Sequence, residues 1–340
     1  MRKFLSQNKI VYFLGVLIVV LGVMCAANYG LSRRFLSEDI DKEENKKYKY
    51  HIAMINGDDS DIFWNDVYAG AVNAGKEYNI YIENWGTNLE DDYSVEELLD
   101  MAVACKVDGI LIEPGEDNRI TETIDRADDA GIPVISMEND LPNSKRKSFV
   151  TANDYVLGEL YGQEVLNAAE ELPKEESSKV AVLIGLNEQN SAPYLIYSGI
   201  SETLGNTGRN IELSNITRTG KGGFESEEKI RKLLLNPDKR PDILVCLSVT
   251  DTISAYQCVI DYNLVGKVQI IGYYATPKIL EGIEKGVIRS TVAIDAEEMG
   301  SEAVKGMSEY LRSKYISEYL SVSSELVTKD NLNKYVREDE

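Results

Sequence analysis

Two adjacent aromatic residues, Phe63 and Trp64, follow an acid-rich turn in the stretch INGDDSDIFWNDVYAGA, residues 55–71. Neighbours on a helix are rotated by about 100°, so both rings cannot point into one core stripe. At least one is expected to face the crevice at the helix start, unless both pack beneath a loop. Asp61 stands where it could cap that helix. In MENDLPNS, residues 137–144, Glu138, Asn139 and Asp140 offer acceptors and an amide to a neutral polar ligand, although a solvated turn uses the same letters. Tyr194 lies in the amide-rich segment GLNEQNSAPYL, residues 185–195. In SVTDTISA, residues 248–255, Thr250 or Asp251 reads as a helix cap, and a cap explains Asp251 by itself. Acceptors, amides and aromatic surfaces are the chemistry of recognition.

The chemistry of turnover is harder to find. The chain has no GxGxxG after its first strand, no GxxxxGK[ST], no HExxH and no GxSxG. Its one histidine, His51, would have to serve as the base of any hydrolase. Four cysteines, Cys25, Cys105, Cys246 and Cys258, show no CxxC spacing, so no zinc site or other metal centre is expected. Cys246 and Cys258 read as small core residues. The glycines of GKGGFE, residues 220–225, read as a turn, and no cofactor is called for. With 57 acids against 36 bases, the net charge of −21 repels phosphate backbones and argues against a nucleic-acid partner.

Binding residues need elements to hold them. Short, nearly continuous apolar runs occur at 50–56, 80–85, 108–114, 131–137, 178–185, 241–247 and 267–274, with amphipathic stretches between most of them. Continuous apolar runs mean strands covered on both faces, and their alternation with helices means a parallel sheet. The expected fold is therefore α/β, with two doubly wound sheets in series, because about ten strands exceed what one such sheet usually takes. Ligands of such sheets bind at the carboxyl ends of the strands. At the N-terminus, residues 10–27 form an apolar run behind Arg2, Lys3 and Lys9, long enough to favour an uncleaved membrane helix over a signal peptide. Residues 1–36 are thus expected to anchor the chain, and the charged stretch 37–48 to tether an extracytoplasmic domain.

The order of these segments resembles the type I periplasmic substrate-binding proteins of the ribose and galactose group, which also supply the sensory domain of LacI-type repressors. The carrying stretches are FWNDVYAGA at 63–71, VDGILIEPGE at 107–116, AGIPVISMEND at 130–140, VTANDYVLGELYGQ at 150–163, VTDTISA at 249–255 and the run 270–300. The resemblance implies two lobes joined by three crossover strands, 49–153 with 296–321 and 154–295 with 322–336. It implies a sugar-like ligand clamped between them without catalysis. Phe63 and Trp64 would stack on the sugar, Glu138 and Asn139 would bond its hydroxyls, and Asp154 would mark the first hinge crossing. Thr250 or Asp251 would reach in from the second lobe. The chain departs from the family where Gly272-Tyr273-Tyr274 replaces Gly-Phe-Asp, where Tyr194 replaces an arginine, and where Ile294 replaces a polar residue. These changes imply a cleft more aromatic and less charged than a ribose site. The implied partner is an ABC permease; a membrane sensor histidine kinase is the alternative. An apolar span in residues 1–48, where a repressor carries its helix-turn-helix, excludes the DNA-binding variant.

Overall fold

The computed structural model describes residues 48–56, 62–85, 93–115, 119–172, 177–185, 192–205, 210–214, 217–219 and 223–335. The anchor at 10–27, residues 37–47 of the tether and Asp61 lie outside the described residues. Among those described, no helix is long and apolar enough to cross a membrane.

Lobe 1 is built on β1 (Tyr50–Ile55), β2 (Ile80–Asn84), β3 (Gly109–Ile112), β4 (Val134–Met137), β5 (Ser148–Ala152) and β12 (Tyr319–Val322). They form one sheet in the order β12-β5-β4-β3-β1-β2, parallel at every pairing. Its helices are α1 (Ile62–Tyr78), α2 (Val95–Cys105), α3 (Arg119–Asp129) and α9 (Ala296–Ser313). β1 shows why the strand reads as a continuous apolar run: Ile52 and Met54 enter the core under α1 and α9, while Ala53 and Ile55 enter the core under α2 and α3.

Lobe 2 contains β6 (Ser178–Ile184), β7 (Ile211–Leu213), β8 (Thr217–Arg218), β9 (Ile243–Cys246), β10 (Gln269–Tyr273), β11 (Ser290–Ile294) and β13 (Ser324–Thr328). The order is β13-β11-β10-β9-β6-β7, with β8 also on β6, and only the β11–β13 pair is antiparallel. Around it lie α4 (Asp154–Glu170), α5 (Ala192–Gly205), α6 (Gly223–Leu235), α7 (Val249–Asp261) and α8 (Pro277–Glu284). The chain passes between the sheets after β5, after β11 and between β12 and β13. The last switch falls after Val322, which still pairs with Ala152, rather than between 321 and 322 as the sequence suggested.

Two helix pairs hold the lobes in shape by backbone contact. On Gly70 of α1, a Cβ would stand 2.0 Å from the Glu297 carbonyl oxygen, and on Gly300 of α9 it would stand 1.9 Å from that of Val67. Gly158 of α4 and Gly199 of α5 meet in the same way in lobe 2, where a Cβ on Gly158 would lie 2.2 Å from the Ile196 carbonyl oxygen. Each pair joins a helix that follows a crossing, α9 or α4, to a neighbouring helix of the same lobe.

Candidate ligand-binding site

The carboxyl end of β10 presents two consecutive tyrosines toward lobe 1, and four contacts secure them. The buried Tyr161 of α4 donates its hydroxyl to the Gly272 carbonyl at 2.9 Å. The Tyr273 N–H donates to Thr252 Oγ1 at 3.1 Å. Tyr274 donates its N–H to Val292 O, and Thr291 Oγ1 donates to Tyr274 O, each at 2.8 Å. Tyr274 has φ of 61°, a left-handed conformation that costs a bulky residue about 1–2 kcal/mol.

Across the cleft, Glu138 just past β4 has φ of 60°. Among the described residues, the other non-glycine residues with positive φ, Asn79, Lys106, Asn263 and Lys314, all follow helix ends, where left-handed backbone is ordinary. Glu138 and Tyr274 have no such excuse, and they mark the strand ends where the lobes meet. The Tyr273 hydroxyl donates to Glu138 Oε1 at 3.0 Å, and that of Tyr274 to Asp66 Oδ2 at 2.9 Å. Thr151 Oγ1 reaches Glu138 Oε2 at 3.5 Å, and Asn139 Nδ2 reaches Glu113 Oε1 at 3.4 Å. Burial, with the neighbouring charge of Glu138, pushes the Tyr273 phenol well above its ordinary range.

Phe63 and Trp64 both lie in the core, at 6% and 5% exposure. Phe63 meets Trp64 edge-on with ring centroids 5.2 Å apart, and it also meets Tyr274 of lobe 2, edge-on at 5.0 Å. Phe63 thus faces the inter-lobe crevice, but its ring is covered. A ligand could stack on it only if Tyr274 withdrew.

Asp154 begins α4 one residue after its cap, Asn153, whose Oδ1 accepts from the N–H groups of Tyr155 and Val156. Half-buried at the first crossing, its carboxyl is pushed up to about 6 by burial. A cavity of about 550 Å³ opens beside the second and third crossings, walled by Asp66, Tyr274, Ile294, Asp295, Glu297 and Lys334 among others. Tyr274 is the one predicted ligand-binding residue among its walls; Glu138, Asn139 and Asp154 are outside it.

Lobe 2 corrects several expectations. Asp251 is 1% exposed, and its carboxylate accepts from Thr219 Oγ1 at 3.0 Å and from Ser226 Oγ, so it is bound inside the lobe and does not reach the cleft. The cap of α7 is Ser248, whose hydroxyl accepts from the Asp251 N–H, and neither Thr250 nor Asp251 plays that part. Thr250 is exposed. Tyr194 is 44% exposed and takes a hydrogen bond from Arg218 within lobe 2. His51 lies at the amino end of β1, away from the cleft, with its Nε2 2.8 Å from Glu83 Oε2. Cys246 and Cys258 are buried free thiols, as expected, whereas Cys105 is exposed. Asp66 and Tyr273 were missed. Asp66 sits one turn past the aromatics on α1, and that spacing was the available signal.

The comparisons with known proteins agree with this architecture. The sequence profile described as periplasmic binding protein domain matches residues 52–314. The ABC transporter periplasmic-binding protein YphF of Escherichia coli (strain K12) is 25% identical over 256 residues, covering 72% of this chain and 75% of YphF. GanP, a glucose-galactose binding protein from Geobacillus stearothermophilus, superposes with a TM-score of 0.71 at 24% identity over 83% of this chain and 98% of GanP. XylFII, solved in a complex with LytSN, gives a TM-score of 0.67 at 24% identity over 83% of this chain and 98% of that one. With a profile that spans most of its length and a two-lobed α/β fold of parallel sheets, this chain belongs to the periplasmic binding protein domain family.

Proposed function

We propose that the chain is an extracytoplasmic solute-binding protein that captures a neutral sugar-like molecule between its lobes by hinge closure and passes it to an ABC-type importer, without catalysing its conversion. The observation that carries this reading is the pairing of Glu138 with Tyr273 and of Asp66 with Tyr274, one partner from each lobe. Carboxylates accept sugar hydroxyls, tyrosines offer both a ring face and a hydroxyl, and these groups converge only when the lobes close. Asp61, Phe63, Asp66, Glu138, Asn139, Asp154, Tyr273 and Tyr274 make up the ligand-facing set of this reading, with Trp64 packed behind Phe63 in the core. Tyr194 and Thr250 remain rim positions. GanP, described as a glucose-galactose binding protein, lends support through its shared fold.

The test is a thermal-shift screen of the full-length protein against sugars, polyols and furanones, followed by calorimetry. A ligand that binds only the native state raises its melting temperature. If no sugar or polyol shifts it, the reading fails.

A second reading makes the same cleft the input of a membrane sensor, such as a histidine kinase. Its support is that XylFII, which shares this fold, was solved in a complex with LytSN. Ligand uptake by cells lacking the chain separates the two. Uptake falls if the chain serves an importer, and ligand-induced transcription falls with uptake capacity intact if it serves a sensor.

A further inference from the structure

Among the described residues, two buried side chains carry polar atoms with no hydrogen-bond partner: Ser148, through its hydroxyl, and Asn56, through both Oδ1 and Nδ2. Ser148 lies at the amino end of β5, away from the cleft. Asn56 lies at the carboxyl end of β1 with only 3% of its surface exposed. An amide brings two donor hydrogens and an acceptor oxygen into the fold, and leaving these unpaired is the costly case for a buried polar group.

The place of Asn56 explains why the cost is tolerated. The last ladder bond of β1 runs from the Glu113 N–H to Ile55 O at 2.8 Å, so Asn56 is the first residue beyond the paired strand. Ile52 and Met54 pack in the cluster that holds Phe63, Trp64 and Tyr274, whereas Ala53 and Ile55 pack in the opposite one. The alternation of the strand carries Asn56 to the side of Phe63 and Trp64. Because β1 adjoins β3 and β3 adjoins β4, Asn56, Glu113 and Glu138 stand in a row along the carboxyl edge of the sheet. In an open α/β sheet that edge is where a ligand sits.

We propose that Asn56 is a ligand-recognition residue of the cleft, kept without an internal partner so that its amide bonds the polar edge of a neutral polyhydroxy ligand. A sugar hydroxyl donates and accepts at once, and an amide can answer both roles, whereas a carboxylate can only accept. Asn56 therefore selects an edge that must also receive a hydrogen bond, such as a ring oxygen beside a hydroxyl. The proposal rests on the sugar-binding reading above.

The test compares the full-length wild type with Asn56→Leu and with Asn56→Ala. Each is melted alone and with D-glucose, D-galactose, D-xylose, D-arabinose, D-ribose or D-tagatose, and titrated with any sugar that binds the wild type. Removing an unpaired amide should leave the ligand-free melting temperature of Asn56→Leu unchanged or raise it by about 2–4 °C, while sugar affinity falls at least about tenfold. A ligand-free melting temperature lowered by more than about 4 °C in Asn56→Leu and Asn56→Ala alike would mean that a structural water already satisfies the amide, and the proposal would fall. Unchanged sugar affinity in a folded variant would overturn it equally. If no sugar shifts even the wild type, the sugar-binding reading is what fails, and the ligand class assigned to Asn56 falls with it.

Discussion

The hydroxyl of Tyr274 donates to Asp66 Oδ2 at 2.9 Å, joining the end of a lobe 2 strand to the first helix of lobe 1 across 208 residues of sequence. A hydrogen bond to a charged acceptor contributes about 1.5–3 kcal/mol. This one exists only while the lobes are together. Tyr274→Phe should therefore shift the ligand-free protein toward an open form, visible as a larger radius of gyration in small-angle X-ray scattering. A scattering curve identical to that of the wild type would show that the bond does not set the lobe equilibrium.

Trp64 is expected to behave as a core residue. At 5% exposure, within the cluster of Met54 and Val67, its truncation to alanine should cost about 3–5 kcal/mol of stability in urea denaturation. A loss below about 1 kcal/mol with a large loss of sugar affinity would instead make its ring a ligand platform.

Asp154 gives the first crossing a pH dependence. Its carboxyl is raised from 3.8 to about 6 in the folded chain, so the native state holds this proton more tightly than the unfolded state. The stabilisation is present in full below pH 4 and is lost as pH rises through 6. Asp154→Asn should be more stable than the wild type at pH 7, by about 1–2 kcal/mol once solvent screening is allowed for, and equal to it near pH 4. Denaturation midpoints that differ by the same amount at both pH values would contradict this.

The α1–α9 contact leaves no room for a methyl group. Gly300→Ala should lose about 3 kcal/mol or more, because the new Cβ would meet backbone that cannot turn aside. Gly205→Ala, where nothing lies within 4 Å, serves as the control and should be close to neutral. Equal melting temperatures for the two variants would count against the packing described.

D-ribose should bind no more tightly than about millimolar, since each hydroxyl left without a buried partner costs about 1–3 kcal/mol. Tyr274 and Ile294, which replace polar groups of the resembling family, both wall the inter-lobe cavity. Micromolar ribose binding by calorimetry would show that other groups supply those bonds.

How far the sequence could be read depended on how local each signal was. Apolar runs marked β1, β3, β4, β6, β9 and β10, whose residues are mostly buried, and β2 at a sheet edge. The interior strands β5 and β11 escaped notice because they carry the buried Ser148, Thr151, Ser290 and Thr291. β7, β8, β12 and β13 are short or lie at sheet edges, where exposed positions break the pattern, and they escaped that reading. Loops at strand ends pointed to Glu138, Asn139 and the aromatics of α1. The same reasoning misplaced Asp251, since a carboxylate near a strand end looks alike whether it faces a ligand or, as here, two hydroxyls of its own lobe.

By itself the sequence determined the alternation of strands and helices, hence the parallel two-sheet class, together with the scarcity of catalytic groups. Those properties depend on residue type and spacing, which are local and periodic. Only the tertiary structure decided that Tyr273 faces Glu138, that Tyr274 covers Phe63 and reaches Asp66, and that Asn56 is buried without a partner. Each of those is a relation between residues brought together by the crossings, and no local pattern encodes the distance between two lobes.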